Sequence, residues 1–312
     1  MVRVSIVGLG AMGATYASLL SRAPGVEVGV IASGERAERL KRDGVVVNGC
    51  HFDFSVIDPG QAGEPADLVV VGVKYHGLAE ALDLMGSQIG ENTTVISLLN
   101  GLTSEDEIAA RYPQANVLYG ITFGVDATRF GSQVKYASPG RIAFGLANNE
   151  PPYTPAIQGL AALFDQCGIT YEIPADMIQR MWWKFMVNTG VNQVTAILRA
   201  PYAIVQQPDS PARELMIAAQ REVIAVGQAQ GINLTEEDLD RWLAILDGLG
   251  AGQYTSMAQD TLANRATETD IFGGAMRRMG AELGIPVPVN TVLHQLLKAG
   301  EIAADSPWQP AT

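Results

Sequence analysis

The first half of the chain alternates short runs of β-branched residues with stretches of helical periodicity. Residues 2–7, 26–31, 67–73 and 93–98 are short runs rich in β-branched residues, which is typical of strands buried in a parallel sheet. Helical patterns separate these runs. That alternation predicts an α/β domain in which helices cover a parallel sheet.

Two later regions predict further strands. Residues 44–56 alternate apolar and polar side chains around Asn48-Gly49, a pair that favours a tight hairpin turn. Residues 117–125 and 134–144, the latter with a turn at 138–140, are predicted to extend the same sheet. Residues 169–173 would form its last strand.

After Pro174 the pattern predicts helices only. A long helix runs from residue 176 to about 198, Ser210-Pro211 begins another, and Thr235 with Asp238 forms a capping box. Asn290 is expected to cap the last helix, and residues 305–312 are expected to be disordered. We therefore predict two domains, an α/β domain over 1–174 and an all-helical domain over 175–312.

Composition excludes several classes of protein. The chain has 21 Lys and Arg against 33 Asp and Glu, a net charge of -12, and no basic patch, so nucleic acid and anionic membranes are unsuitable partners. Cys50 and Cys167 lie far apart in sequence, and the three histidines lack metal-ligand spacing, so neither a disulfide framework nor a metal site is predicted. No signal peptide or membrane span is evident, and we expect a cytoplasmic protein.

A glycine-rich motif follows the first predicted strand and opens a helix. The first glycine permits the tight turn, the second the approach of a pyrophosphate, and the third close helix packing. This context predicts a Rossmann-type dinucleotide site. Its residues are Gly8, Leu9, Gly10, Ala11, Met12 and Gly13.

The end of the second predicted strand favours NADPH over NADH. An NAD site has an acidic residue there, whereas Ile31 is followed by Ala32 and Ser33. Ser33 can donate a hydrogen bond and Arg36 can pair with a 2′-phosphate. Two other interpretations stay open, because Glu35 could bind the ribose and Arg36 could be a solvated helix charge.

Polar residues form one stripe on an otherwise apolar helix. Lys184, Asn188 and Asn192 are spaced four residues apart, so they share a face. Burial of these groups is costly unless they have partners, which a ligand would supply. Structural hydrogen bonds at a domain interface are the alternative.

Two helix starts follow in quick succession. Ser256 with Gln259, and Thr267 with Asp270, match the capping-box pattern, which would place Ser256 at one helix start and Glu268 in the first turn of the next. Taken alone, each residue is explained as a cap or as a charge near a helix dipole.

These motifs, in this order along nearly the whole chain, resemble the ketopantoate reductase family. The resemblance implies NADP(H)-dependent reduction of a 2-oxo acid, with 2-dehydropantoate converted to pantoate for pantothenate and coenzyme A biosynthesis. It also implies a substrate cleft between a Rossmann domain and a helical domain. Lys184 would be the catalytic acid and Glu268 its partner, Asn100, Asn188, Asn192 and Ser256 would bind substrate, and Lys74 and Asn100 would contact the cofactor.

Two departures and three alternatives accompany this resemblance. Ser33 aligns where the family commonly has Arg, and Gln253 where some members have a substrate-binding Asn. The chain could reduce a different 2-oxo acid, or be a dehydrogenase of the 3-hydroxyisobutyrate type, although it lacks that family's Asp-Ala-Pro-Val-Ser-Gly segment. It could also be a sensor that binds NADP without turnover. Oligomeric state, a homodimer included, stays open.

Overall fold

Two compact units make up the computed structural model, one spanning Met1–Met177 and the other starting at Ile178. The structure describes residues 1–61 and 63–305. The disorder expected for 305–312 therefore concerns residues outside the described part, apart from Asp305, which ends the last helix.

The first unit contains strands at all the predicted positions, and the structure adds elements that the sequence pattern did not predict, among them a strand at Asp126–Phe130 and helices at Pro155–Cys167 and Ala203–Gln206. The strands are β1 (Val2–Val7), β2 (Val26–Ile31), β3 (Val45–Val47), β4 (Cys50–Phe52), β5 (Ser55–Ile57), β6 (Leu68–Val71), β7 (Thr94–Ser97), β8 (Asn116–Phe123), β9 (Asp126–Phe130), β10 (Gln133–Ser138), β11 (Arg141–Gly145) and β12 (Tyr171–Glu172). The helices are α1 (Ala11–Leu20), α2 (Gly34–Asp43), α3 (Leu78–Leu84), α4 (Ser104–Arg111), α5 (Pro155–Cys167), α6 (Met177–Leu198), α7 (Ala203–Gln206), α8 (Pro211–Ala229), α9 (Glu236–Asp247), α10 (Ser256–Leu262), α11 (Gly273–Leu283) and α12 (Pro288–Asp305).

The main sheet has the order β12-β11-β8-β7-β6-β1-β2-β5. From β5 to β8 every neighbouring pair is parallel, whereas β11 runs antiparallel to β8. The strand order reverses direction between β1 and β6. In sheets of this kind ligands bind at the carboxyl ends of the strands beside such a switch point. Buried side chains cover both faces of the sheet.

A second sheet corrects one prediction. Residues 134–144 were predicted to extend the main sheet, but only β11 does so. β10 pairs instead with β3 of the predicted hairpin and with β9, in a four-stranded sheet of order β4-β3-β10-β9. The Asn48 side chain fixes this pairing, because it accepts from the Tyr136 N–H at 2.9 Å and donates to the Tyr136 carbonyl at 3.0 Å.

The second unit consists of helices in its described residues, and α6 has the predicted extent. Ser210 caps α8 by accepting from the Arg213 N–H at 3.1 Å, and Thr235 donates its N–H to Asp238 at 2.8 Å at the start of α9, both as predicted. From Met181 to Ala196 nearly all residues of α6 are buried. No helix in the described part of the chain is long and apolar enough to cross a membrane.

The predicted cap of the last helix is wrong. α12 begins at Pro288, so Asn290 lies inside its first turn. The Asn290 amide donates to the Ala219 carbonyl at 3.0 Å and to the Glu222 carboxylate at 2.8 Å. Asn290 therefore serves contacts between α12 and α8, which a capping pattern in one segment does not reveal.

Candidate active site

The glycine-rich turn joins β1 to α1 at the switch point of the main sheet. A Cβ at Gly13 would lie 2.0 Å from the Gly8 carbonyl oxygen, and a Cβ at Gly8 would lie 2.6 Å from the Val73 nitrogen. Gly8 also has a φ of +92°. The first and third glycines are therefore required by the packing of the turn itself.

Gly10 differs from its two neighbouring glycines. A Cβ there would approach only the Gly72 carbonyl, at 3.7 Å, which is an ordinary contact. The surrounding protein thus leaves a cradle at Gly10 that a side chain would fill. Gly10 precedes α1, which has no acidic residue in its first turn. Open space and helix N–H groups at this point fit the diphosphate of a dinucleotide.

The end of β2 carries the residues predicted to select the cofactor. Ser33 precedes α2 as its N-cap, is exposed, and its hydroxyl makes no capping hydrogen bond. Arg36 lies in the first turn and forms an exposed ion pair with Glu80, with an Nη1 to Oε1 distance of 3.3 Å. Glu35 lies in the same first turn, so a negative and a positive side chain both stand beside the end of β2.

Lys74 and Asn100 follow neighbouring strands. Lys74 lies after β6, before a 3₁₀ turn at Tyr75–Gly77, and Asn100 follows β7. Both side chains are half-buried. Because the carboxyl ends of parallel strands meet at one edge of the sheet, the turn after β1, Lys74 and Asn100 share this edge.

A buried glutamate near Asn100 was missed by sequence reasoning. Glu105 accepts from the Ser104 hydroxyl at 2.8 Å and from the Gly120 N–H at 3.2 Å, and the Ser104 hydroxyl also bonds the Ser97 hydroxyl at 2.8 Å. Burial raises the pKa of Glu105 to about 7, against the opposing effect of these hydrogen bonds. The network ties both ends of the segment that contains Asn100. Acidic residues are common in the first turn of a helix, so the sequence alone gave no reason to single out Glu105.

In the helical unit, α6 presents the predicted polar stripe. Between Met181 and Ala196 every residue is buried except Lys184 and Asn188, which are partly exposed. Asn192, one turn further, is only 5% exposed. Its side-chain amide forms no hydrogen bond with the described residues and is not one of their fully buried unpartnered polar groups, so it retains contact with solvent.

The predicted cap at Ser256 is wrong by one residue. Thr255 is the N-cap of α10, and its hydroxyl accepts from the Ala258 N–H at 3.1 Å. The Thr255 hydroxyl also bonds the Thr195 hydroxyl of α6 at 2.8 Å. Thr255 thereby links α10 to the lysine-bearing helix, and Ser256 is left as an exposed first residue of α10.

The predicted position of Glu268 is also wrong in detail. Glu268 precedes a 3₁₀ turn at Thr269–Ile271, and α11 starts only at Gly273. Thr267 and Asp270 form no capping box, because each has a partner on α12. The Thr267 hydroxyl donates to Glu301 at 2.6 Å, and Asp270 accepts from His294 at 2.8 Å and from Lys298 at 3.1 Å.

A buried hydrogen-bond chain connects the Glu268 segment to α6. The Thr269 hydroxyl donates to the Gln193 side-chain oxygen Oε1 at 3.3 Å, and the Gln193 Nε2 donates to the Asn290 Oδ1 at 3.0 Å. Thr269, Gln193 and Asn290 are fully buried. Like the pair Thr195 and Thr255, this chain anchors a candidate ligand-binding segment to the helix of Lys184. Within the described residues, no cluster of three His, Cys, Asp or Glu side chains could hold a metal ion.

The fold and the glycine-rich turn are those of a Rossmann-type dinucleotide-binding protein. A family model for ketopantoate reductase PanE/ApbA matches residues 4–149, and the model for its C-terminal part matches residues 176–301. The chain therefore belongs to the ketopantoate reductase family.

Relatives and solved structures agree with this assignment. The chain is 27% identical over 302 residues to a 2-dehydropantoate 2-reductase of Streptococcus pyogenes serotype M3, which covers 96% of this chain and 97% of the relative. A ketopantoate reductase from Ralstonia eutropha JMP134 superposes with a TM-score of 0.83 at 26% identity over 97% of this chain and 100% of that one. A D-mandelate dehydrogenase structure with NADH and anilino(oxo)acetate gives a TM-score of 0.85 at 25% identity, with the same two coverages.

Proposed function

We propose that this protein reduces a 2-oxo acid with NADPH, and that the substrate is 2-dehydropantoate, which yields pantoate for pantothenate and coenzyme A biosynthesis. Residues 1–174 would bind the cofactor and 175–312 the substrate. The observation that carries the proposal is the pair of partly exposed polar residues on α6, Lys184 and Asn188, in a stretch where every neighbour is buried.

The reaction needs an acid at the substrate carbonyl. When bound, NADPH would supply a hydride to the carbonyl carbon, and negative charge would then develop on the carbonyl oxygen. The Lys184 ammonium stabilises that charge and donates the proton that completes the hydroxyl group. Glu268 acts through Lys184, because a nearby carboxylate favours the charged amine and orients it.

Substrate binding is assigned to the remaining polar residues of the helical unit. The amides of Asn188 and Asn192 can donate to the oxygens of a 2-oxo acid. The exposed Ser256 hydroxyl suits the substrate carboxylate. Asn100 would contact both substrate and cofactor.

Cofactor preference is assigned to the end of β2. The absence of an acidic residue directly after Ile31 and the exposed Ser33 hydroxyl favour a 2′-phosphate. Arg36 and Lys74 would add positive charge to that site. Arg36 is paired with Glu80, and binding a phosphate would require Arg36 to leave that ion pair. Part of the free energy that Arg36 gains from the phosphate would therefore be offset.

A second candidate substrate class is an aromatic 2-oxo acid. The similarity to D-mandelate dehydrogenase supports it. Gln253, which stands where some relatives have a substrate-binding Asn, adds a reason to test the substrate directly.

The test is a steady-state assay of cofactor oxidation against a panel of 2-oxo acids. The panel contains 2-dehydropantoate, a branched 2-oxo acid without the hydroxymethyl group, and benzoylformate, each with NADPH and with NADH. We expect the highest kcat/KM for 2-dehydropantoate with NADPH. A higher value for benzoylformate would assign the aromatic class, equal values for the two cofactors would contradict NADPH selectivity, and cofactor binding without turnover would indicate a sensor.

A further inference from the structure

Arg129 is held against the glycine-rich turn by a strand of the second sheet. β9 packs on α1, and Arg129 lies near the end of β9. Its Nη1 donates to the Leu9 carbonyl oxygen, and its Nε donates to the Gly131 carbonyl at 2.8 Å. Two neutral carbonyls therefore orient the guanidinium beside the turn, and its Nη2 has no hydrogen bond within the described residues.

This guanidinium has no counter-charge within ion-pair distance. No carboxylate oxygen of the described residues lies within 4 Å of Arg129 or of Arg39, its charged neighbour on α2. Burial lowers the pKa of Arg129, and the like charge of Arg39 lowers it further. A half-buried cation beside a second cation is unfavourable unless an anion binds there.

Five other arginines of the same unit form ion pairs with carboxylates, whereas Arg22 and Arg39 form none among the described residues. Acidic residues outnumber basic ones in this chain, 33 to 21, so carboxylate partners are plentiful. Arg129 is one of three arginines of this unit without a carboxylate partner among the described residues, and it contacts the glycine-rich turn. The pairs are Arg3 with Glu64, Arg36 with Glu80, Arg42 with Asp43, Arg111 with Asp83 and Arg141 with Glu172.

We infer that Arg129 binds the diphosphate of the dinucleotide cofactor, with Arg39 adding positive potential. The inference rests on the proposed function, since it needs a dinucleotide on the glycine-rich turn. Arg129 is anchored to Leu9, between the turn glycines, where diphosphates bind, whereas a 2′-phosphate would bind at the end of β2. A diphosphate would accept from Nη2 and supply the missing negative charge.

The experiment compares cofactor affinity in Arg129→Gln and in a matched control. Arg111→Gln removes one arginine charge from α4, where it pairs with Asp83. Dissociation constants for NADPH and NADH are measured by titration at low and high salt, and the melting temperature is measured on the same samples. Arg129→Gln should weaken both cofactors by a similar factor of about 10 to 100, less at high salt, and Arg111→Gln should change neither.

Other results would overturn the inference. A loss confined to NADPH would place Arg129 at the 2′-phosphate, and unchanged affinities with a lower melting temperature would make it only an anchor of the turn. If Arg129→Gln does not fold, Arg129→Lys replaces it and should show a smaller loss, again shared by both cofactors. Failure of the unmodified protein to bind either cofactor would instead reject the proposed function and remove the basis of this inference.

Discussion

At the scale of single residues, exposure separates the polar groups that a ligand could reach from those that serve only the fold. Gln193 and Thr269 are fully buried, and their hydrogen bonds are satisfied within the unit. Lys184 and Asn188 lie on the same helix as Gln193 but reach solvent. Helical spacing alone predicted the stripe, yet it could not separate these two kinds of residue, because spacing does not report what packs against each face.

Lys184 is the residue whose removal tests the proposed chemistry. Lys184→Ala should lower kcat by about 100-fold to 10,000-fold while NADPH affinity and melting temperature stay close to those of the unmodified protein, because general acid catalysis acts in the transition state. Lys135→Ala, which removes an exposed lysine of β10, is the control. If Glu268 acts through Lys184, the double variant with Glu268→Ala should be little slower than Lys184→Ala alone. A kcat that falls only in proportion to lost folded protein would reduce Lys184 to a structural role.

At the scale of elements, the sequence predicts what depends on local pattern. The strands of the Rossmann core, the extent of α6 and the starts of α8 and α9 were all predicted, because periodicity and capping residues operate within one segment. The glycine-rich turn was predicted for the same reason. The structure adds the separate reason for each glycine, because close contacts require Gly8 and Gly13, whereas Gly10 leaves open space.

The elements that were predicted wrongly depend on distant partners. β10 pairs with the hairpin strand β3, almost ninety residues earlier in the chain, and no local pattern indicates that choice. The capping patterns at Ser256 and Thr267 failed because Thr255 and Thr267 hydrogen-bond to residues of α6 and α12. Arg129 was missed because its contact with Leu9 arises only when β9 packs on α1.

The glycine-rich turn gives a prediction that separates packing from ligand binding. Gly13→Ala should lower the free energy of unfolding by about 1–3 kcal/mol or prevent folding, because its Cβ would lie 2.0 Å from the Gly8 carbonyl oxygen. Gly10→Ala should cost less than about 1 kcal/mol, since its backbone suits alanine and its Cβ meets nothing closer than 3.7 Å.

Gly10→Ala, the variant with the smaller expected loss of stability, should have the clear loss of cofactor affinity. Gly10→Ala should raise the dissociation constant for NADPH at least tenfold, which is about 1.4 kcal/mol, because the methyl group occupies the place of the diphosphate. Denaturant unfolding and NADPH titration on the same samples measure both quantities. Normal NADPH affinity in a folded Gly10→Ala protein would show that the turn does not hold the cofactor.

At the scale of the whole molecule, the protein is strongly acidic. A net charge of -12 repels anionic ligands in general, so binding of a phosphorylated cofactor depends on local cations. Arg129, Arg39, Arg36 and Lys74 belong to the unit that carries the glycine-rich turn, and Lys184 belongs to the helical unit. The same excess of carboxylates makes the stability of the molecule depend on pH, since each titrating group contributes through linkage.

Glu105 should make the folded protein less stable as pH rises toward alkaline values. An exposed glutamate has a pKa of 4.5, and burial raises the pKa of Glu105 to about 7 in the folded protein. The folded state therefore favours the protonated form. The stabilisation is complete below the unfolded pKa and is lost as pH rises through about 7, by up to about 3 kcal/mol.

Glu105→Gln keeps a neutral side chain that still accepts from Gly120. Its stability relative to the unmodified protein, from urea unfolding, should therefore increase between pH 5 and 8. Glu91→Gln, which removes one exposed carboxylate that does not affect Glu105, controls for net charge. A difference that stays constant over this range would mean that Glu105 titrates normally.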